Sequence, residues 1–489
     1  MKTCCAGRTA GLVARIVVAI LLSLLLPSIS RAQAGQTCGP SPVGATCAGA
    51  GPASLGNAGG ADVGAGNPIN ILTGNKYQRE VDLAPMPGEL GVELVRHYNS
   101  LDRGEGSLGV GWRWSYDTEL VSLRDSLQIL ESDGGRISFS RKGARQGVCN
   151  GDDPAQGALT ILPRSAAPAG YRWQWVDGRQ LVFDVHGKLI EIHGAQGGLL
   201  TLTRGARGEL LAVQDPLGRR LEFEYRSTGP TSGAMPVAAV MTPLGRISYE
   251  LASRAGDKRL DLESVLLADR RTVRRYHHEP RFQAGNAHAL TGVSVETRDA
   301  RGATVHAQRL SRFAYGPGGK ARWSMRGDGL DLVAVAQSPG AASLRHPGTA
   351  VLVNATGEIT RYRFAIINGS YRLLDSAGPG CAQCGATNLH REYDAGGHLV
   401  SVQAVDPSGA LKAKTEYEHD ATGRVAVIRT PSVVTGSVHE RRFVYDGKTP
   451  GRLVSMLESG FSSTGAIRRR VDLAYDAAGR LVSQGNARF

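Results

Sequence analysis

Aromatic residues make up only 6% of this 489-residue chain, and runs without glycine or proline long enough for a helix are few. With 64 glycines interrupting it, nothing after the N-terminus keeps the apolar spacing of an amphipathic helix. A mainly helical fold is excluded. The familiar catalytic signatures are missing as well: there is no G-x-S-x-G, no H-E-x-x-H and no phosphate-binding loop. No catalytic residue, metal or cofactor is therefore expected, and the chain is not read as an enzyme. Blocks of like charge are also lacking. The densest basic cluster, "RRTVRRYHH" (270–278), reads as a strand with an arginine-rich exposed face. In "RYHHEPRF" (275–282), His277 and His278 are neighbours and point to opposite faces of a regular strand, so they cannot share a metal ion.

What the chain has instead is short Val/Ile/Leu/Tyr-rich runs, separated by Gly, Asp and Asn clusters. That pattern predicts many strands joined by tight turns, a mostly β protein. The length allows two to four domains of roughly 100–200 residues each.

The first residues are a separate matter. Lys2, Arg8 and Arg15 precede the apolar run "IVVAILLSLLL" (16–26), which Pro27 breaks, and "AQA" (32–34) supplies small residues for a peptidase. Eleven residues of helix reach about 16 Å, short of a hydrocarbon core of about 30 Å. Residues 1–34 read as a secretory signal peptide cleaved between Ala34 and Gly35. The chain is thus expected to cross the inner membrane and to be periplasmic, cell-surface or secreted, with no membrane span left after cleavage. Residues 1–34 hold four basic residues and no acidic one, so the formal charge falls from +13 to +9. The mature chain should favour anionic surfaces such as envelope glycans, or an acidic partner, and an exported chain is not expected to meet nucleic acid.

Residues 35–66 are Gly, Ala, Ser and Pro with almost no large apolar side chain, which predicts a flexible linker. Within it Cys38 and Cys47 can close a small disulfide loop, as an oxidising destination favours. A second pair, Cys381-x-x-Cys384, is flanked by Gly, Pro and Asn. Its nearest histidines, His390 and His398, do not complete a standard zinc spacing. A structural disulfide or inert pair is expected there, with metal and redox readings left open. Cys149 then has no partner.

Order should begin at Asn67. "NPINILTGNKYQREVDLAPMPGELGVELVRHYNS" (67–100) reads as strand, turn, strand, break and strand, and "GSLGVGWRWSYDTELVSL" (106–123) as a turn feeding an aromatic strand. Trp112, Trp114 and Tyr116 fall at spacing two and share one face. Such a stripe seals a sheet or, if exposed, stacks on sugar rings; the seal is expected. Further on, a Tyr-Asp phrase returns as Tyr393-Asp394 with Gly397, His419-Asp420 with Gly423 and Arg424, Tyr445-Asp446 with Gly451 and Arg452, and Tyr475-Asp476 with Gly479 and Arg480. The first three copies are 26 residues apart and the last follows after 30. In each, Asp is placed to hold the turn backbone and Gly to reverse the chain. A repeat of two-strand units predicts consecutive hairpins in one spiralling sheet. "QDPLGRR" (214–220) reads as another such turn.

The ordered block resembles the N-terminal DUF6531-type domain of RHS, or YD-repeat, proteins. The residues that carry the resemblance are Asn67, Pro68, Asn70, Thr73, Gly74, Arg96, Tyr98, Gly111, Trp112 and Tyr116. The resemblance implies this domain over 67–125, degenerate β-repeats over 126–375 and YD repeats over 376–489. It also implies a spiralling sheet that is part of a cocoon-like shell, a non-catalytic container for a toxin used against neighbouring cells. The chain departs from complete relatives in lacking the C-terminal core, the self-cleavage element and the toxin. It is therefore read as truncated or completed by a partner chain, a second polypeptide continuing the repeats or an encapsulated toxin, with too few strands of its own to close a cavity. The alternative is an adhesion module that binds anionic glycans.

Overall fold

Each strand from Glu119–Ser122 to Ala487–Arg488 pairs antiparallel with the next in sequence, a continuous meander of hairpins. The computed structural model describes residues 64–145, 147–151, 157–163, 165, 169–175, 178–226, 234–254, 257–340, 342–367, 370–381, 387–421, 423–447, 452–462, 464–476, 481–485 and 487–488. Residues 1–34, with Ala34, and Gly35, Cys38, Cys47, Cys384, Gly451, Gly479 and Arg480 lie outside the described residues. Among those described there is no α-helix, only the short 3₁₀ turns Pro280–Phe282 and Pro317–Gly319. The chain is mostly β and built of consecutive hairpins.

One turn explains why the hairpins repeat. An aspartate four residues before the next strand opener accepts that residue's amide: Asp184 from Lys188 (2.8 Å), Asp215 from Arg219 (3.0 Å), Asp394 from His398 (2.8 Å) and Asp420 from Arg424 (3.1 Å). The residue between, glycine in every case, takes φ of 79–83° at Gly187, Gly218, Gly397 and Gly423. Side chains other than glycine's are strained there.

One expectation is corrected. The linker does not extend to residue 66. Gly64–Ala65 already pairs with Ile69–Asn70, and Gly66, at φ 63°, lies so close to Ser324 that a Cβ would fall 2.4 Å from its hydroxyl. At the start of the ladder Glu119 bridges Lys188 and the Leu120 amide donates to the Gly187 carbonyl (2.8 Å), a local contact between the first strand and a later turn.

Before the ladder comes a small three-stranded sheet of Tyr77–Leu83, Leu94–Asn99 and Trp112–Trp114. It lies on one face of the ladder, and the largest apolar cluster fills the space between them. Burial changes along the chain. Through about residue 377 most strands of the ladder bury one face, the first half of Thr304–Tyr315 excepted, whereas after 387 only Gly397, Ser401, Val427, Ile428, Ser455 and Val471 are buried among the described residues.

Candidate functional site

Alternation along Leu94–Asn99 puts Arg96 and Tyr98 on one face of the strand and His97 and Asn99 on the other. Arg96 reaches Asp82 with Nε (2.6 Å) and Nη2 (2.8 Å), and Nη2 also donates to the Tyr276 hydroxyl (2.7 Å). Both charged side chains are fully buried. Tyr249 donates to the second oxygen of Asp82 (2.8 Å), and Arg274 donates to Glu80 (2.8 Å) and to the Val81 carbonyl (3.0 Å). Tyr249, Arg274 and Tyr276 belong to the ladder, so one buried network ties the first domain to the sheet. Burial alone would favour neutral Arg96; Asp82 and the two tyrosines outweigh it and hold the guanidinium charged. Burial pushes the hydroxyls of Tyr249 and Tyr276 far above their ordinary range, and they remain donors.

The aromatic stripe seals this interface. Trp112 meets Tyr98 (5.2 Å between ring centres) and the edge of Tyr276 (5.1 Å), and Trp114 meets Phe223 (5.4 Å) and Tyr249 (5.3 Å). Tyr116 donates to the Glu93 carbonyl (2.9 Å). All three stripe residues are buried and offer no exposed ring to a sugar.

The remaining motif residues of the domain serve the same contact. The Asn67 amide donates to Ser324 Oγ (3.2 Å) and its Nδ2 to the Met325 carbonyl (3.1 Å). Pro68 offers its carbonyl to Tyr77 (3.1 Å), and Asn70 Oδ1 accepts the amides of Leu72 and Thr73 (3.0 Å each). Thr73 Oγ1 accepts the Asn75 amide (3.2 Å), and Gly74, at φ 76°, accepts the Ala321 amide (2.8 Å). Tyr98 accepts the Leu290 amide (2.9 Å). At Gly111, φ is 78° and a Cβ would lie 2.8 Å from the Tyr98 ring. Asp215, in "QDPLGRR", takes the repeat turn and also accepts the Val92 amide (3.1 Å), so a turn of the ladder docks the domain as well.

The YD repeats hold together differently. Each described tyrosine ends the second strand of a hairpin and donates back to a carbonyl of the strand beside it: Tyr393 to Leu373 (3.0 Å), Tyr445 to Val425 (2.8 Å) and Tyr475 to Leu453 (2.8 Å), the last two acceptors being the first residues of their strands. The arginine just before that acceptor stacks on the same ring, Arg372 at 5.9 Å, Arg424 at 4.4 Å and Arg452 at 5.0 Å. Asp420 also pairs with Arg424 Nε (2.6 Å), Asp394 with His398 (3.0 Å), and the Asp446 amide donates to the Arg452 carbonyl (2.8 Å). Asp476 stands at the edge of a segment outside the described residues. The sequence did not point to the arginine–tyrosine stack, because its partners are 21–23 residues apart, nor to Tyr249, Arg274 and Tyr276, which sit in ordinary strands.

The histidines weighed as metal ligands go elsewhere. His277 meets Ser294 Oγ (2.7 Å), His278 the Leu262 carbonyl (3.3 Å), His390 Asp375 (2.5 Å) and His398 Asp394. Burial lowers both His277 and His278 to about 4. No group of three or more metal-ligating side chains is found among the described residues. Cys381 is disulfide-bonded and Cys149 is a free, buried thiol.

Register carries the covered face past the first domain. Cross-strand partners share a face, and the line from Tyr362 runs through Ser376 and Leu389 to Ala404. The same face presents Tyr417, Ile428, Arg441, Phe443 and Met456, where the first domain no longer covers it.

These features define a class: a β-hairpin repeat protein with its first domain packed on one face of the repeat sheet. Residues 66–139 match the family described as "Domain of unknown function (DUF6531)", so the chain carries that domain where its motifs indicate, extending through the first hairpin of the ladder rather than stopping at 125. No curated protein matches the chain in sequence. Among solved structures, the TcdB2-TccC3 complex without its hypervariable C-terminal region aligns with TM-score 0.38 and 13% identity over 84% of this chain. The Photorhabdus luminescens Tc holotoxin pore bearing a TccC3 mutation gives the same values, and the TcdB2-TccC3 crystal structure gives 0.32 and 12% over 83%. The chain spans about a quarter of the length of these proteins, 23–25%. No helix among the described residues is long and apolar enough to cross a membrane.

Proposed function

We propose that this chain is a non-catalytic shell component of RHS type, exported through the inner membrane, that helps enclose a toxin polypeptide for delivery to another cell. Further repeats, on this chain or on a partner, complete the enclosure. The observation that supports the reading is the continuous face: buried up to about residue 377, with the first domain touching the ladder as far as Gln337, then continuing half-buried with Tyr417, Phe443 and Met456 along the YD repeats. In this reading residues 1–34 are the export signal, and Cys381 pairs with Cys384 to staple the junction between degenerate and YD repeats.

The test begins with the DNA that follows the codon for Phe489. Further YD repeats and a variable polypeptide are expected, in frame or in the next gene, and co-expression with this chain should protect that polypeptide from added protease. If no repeats are encoded, or if the polypeptide is digested equally with and without the chain, the shell reading fails.

A further inference from the structure

The strand Thr304–Tyr315 is covered on one side only along its first half. Gly292–Arg298 pairs with it throughout, but the next strand, Ala321–Arg326, reaches only residues 311–315, and the last bond on that side is from the Gly327 amide to the Leu310 carbonyl (2.9 Å). Among the described residues no strand pairs with 304–310 on that side. Residues 304–308 are all exposed on both faces, and Val305 (64%) and Leu310 (44%) present apolar side chains. A notch beside this edge, where Ala321–Arg326 ends, is lined by Ala307, Gln308, Arg309, Leu310, Arg326, Gly327 and Asp328.

Edges of this kind are normally guarded by a charge, a proline or a covering loop. The segment "TVHAQ" (304–308) has no charged residue and no proline. The register shifts near Val305 and Leu310 leave 306–309 regularly paired to the neighbouring strand, so this stretch is a straight template for another strand.

We propose that this edge pairs with the same edge of a second copy of the chain, antiparallel, about a two-fold axis through Ala307. The segment is suited to pairing with itself. With the axis at Ala307, alanine faces alanine, His306 faces Gln308 and Val305 faces Arg309, and no like charges meet. Shifting the axis by half a residue would set His306 against Arg309, which disfavours that register. In the chosen register Thr304 of one copy comes opposite Leu310 of the other, beside the notch.

The experiment is sedimentation of the purified full chain over a concentration series, with two variants. The unmodified chain is expected to form dimers. Ala307→Asp sets two carboxylates against each other at the axis and should weaken the dimer by about tenfold or more, with circular dichroism unchanged because the side chain is exposed. Ala307→Cys should add a reducible, disulfide-linked dimer that the unmodified chain lacks under the same mild oxidation. A monomer at all concentrations overturns the proposal. So does a dimer that Ala307→Asp leaves intact, since it would be held by another surface, the apolar run 16–26 included; so does failure of Ala307→Cys to cross-link.

Discussion

The guanidinium of Arg424 stands 4.4 Å from the centre of the Tyr445 ring, while the Tyr445 hydroxyl donates to Val425, the residue after that arginine. Arg424 is held in turn by Asp420 at 2.6 Å. The aspartate of one repeat thus orients the arginine that packs on the tyrosine of the next. Two turns that are remote in sequence become one unit, and the spacing of the Tyr-Asp phrase follows from this geometry.

Removing either partner should show the coupling. Tyr445→Phe deletes one hydrogen bond and is expected to cost about 0.5–1.5 kcal/mol in urea unfolding. Arg424→Ala removes the stack and the ion pair with Asp420, costing about 1–2 kcal/mol. A double-mutant cycle between Arg424→Ala and Tyr445→Ala should give a coupling of about 0.5–1 kcal/mol. Simple additivity would mean the stack is incidental.

The buried pair of Arg96 and Asp82 predicts a far larger effect. Arg96→Met leaves Asp82 without its main counter-charge in a closed interface and should destabilise the protein by about 3–5 kcal/mol. Tyr276→Phe keeps the ion pair and should cost only about 1 kcal/mol. Limited proteolysis gives an independent reading, because loss of docking should expose sites within residues 64–117. Equal stability of Arg96→Met and the unmodified chain would contradict the network.

Two buried groups, Glu93 just before the strand Leu94–Asn99 and His97 on it, make stability depend on pH from both sides. Glu93 is buried, its Oε2 has no hydrogen-bond partner among the described residues, and burial raises its pKa to about 8. Its contribution is fully present below the ordinary value of 4.5 and is lost as pH rises through about 8. His97 is lowered to about 3, first by burial and then by Arg79. Its contribution is present above the ordinary value of 6.5 and is lost as pH falls toward about 3. The Glu93 contribution to the melting temperature should therefore fall as pH rises from about 4.5 to about 8 and level off above that, the alkaline limb, and the His97 contribution should fall as pH drops from about 6.5 toward about 3. Glu93→Gln should flatten the alkaline limb alone, and no change in that limb would remove Glu93 as its cause.

Glycine 111 offers a steric test. Its backbone has φ of 78°, and an added Cβ would meet the Tyr98 ring at 2.8 Å and the Asn99 carbonyl at 2.9 Å. Gly111→Ala should cost about 2–4 kcal/mol by adding strain to overpacking. At Gly218, φ is nearly the same but no atom lies within 4 Å of the added Cβ. Gly218→Ala should cost only about 1 kcal/mol, the conformational part alone. Thermal unfolding of the two variants separates the contributions.

The local sequence set the units of this protein. Glycine at fixed positions after aspartate, with alternating apolar residues between, leaves the chain little choice but short strands and reversing turns, so the hairpins and the seal of Trp112, Trp114 and Tyr116 were legible. The linker boundary was not, because Gly64–Ala65 pairs with Ile69–Asn70 and the following Gly66 meets Ser324 far along the chain. Which strand face would be covered, that Arg96 would find Tyr276, that Arg424 would lie on Tyr445, and that 304–310 would be left as an edge were all decided by tertiary structure. The reason is physical. Turn chemistry acts over four or five residues and is written in order along the chain, whereas burial of a charge or exposure of an edge depends on which distant strands share a face and where each one stops.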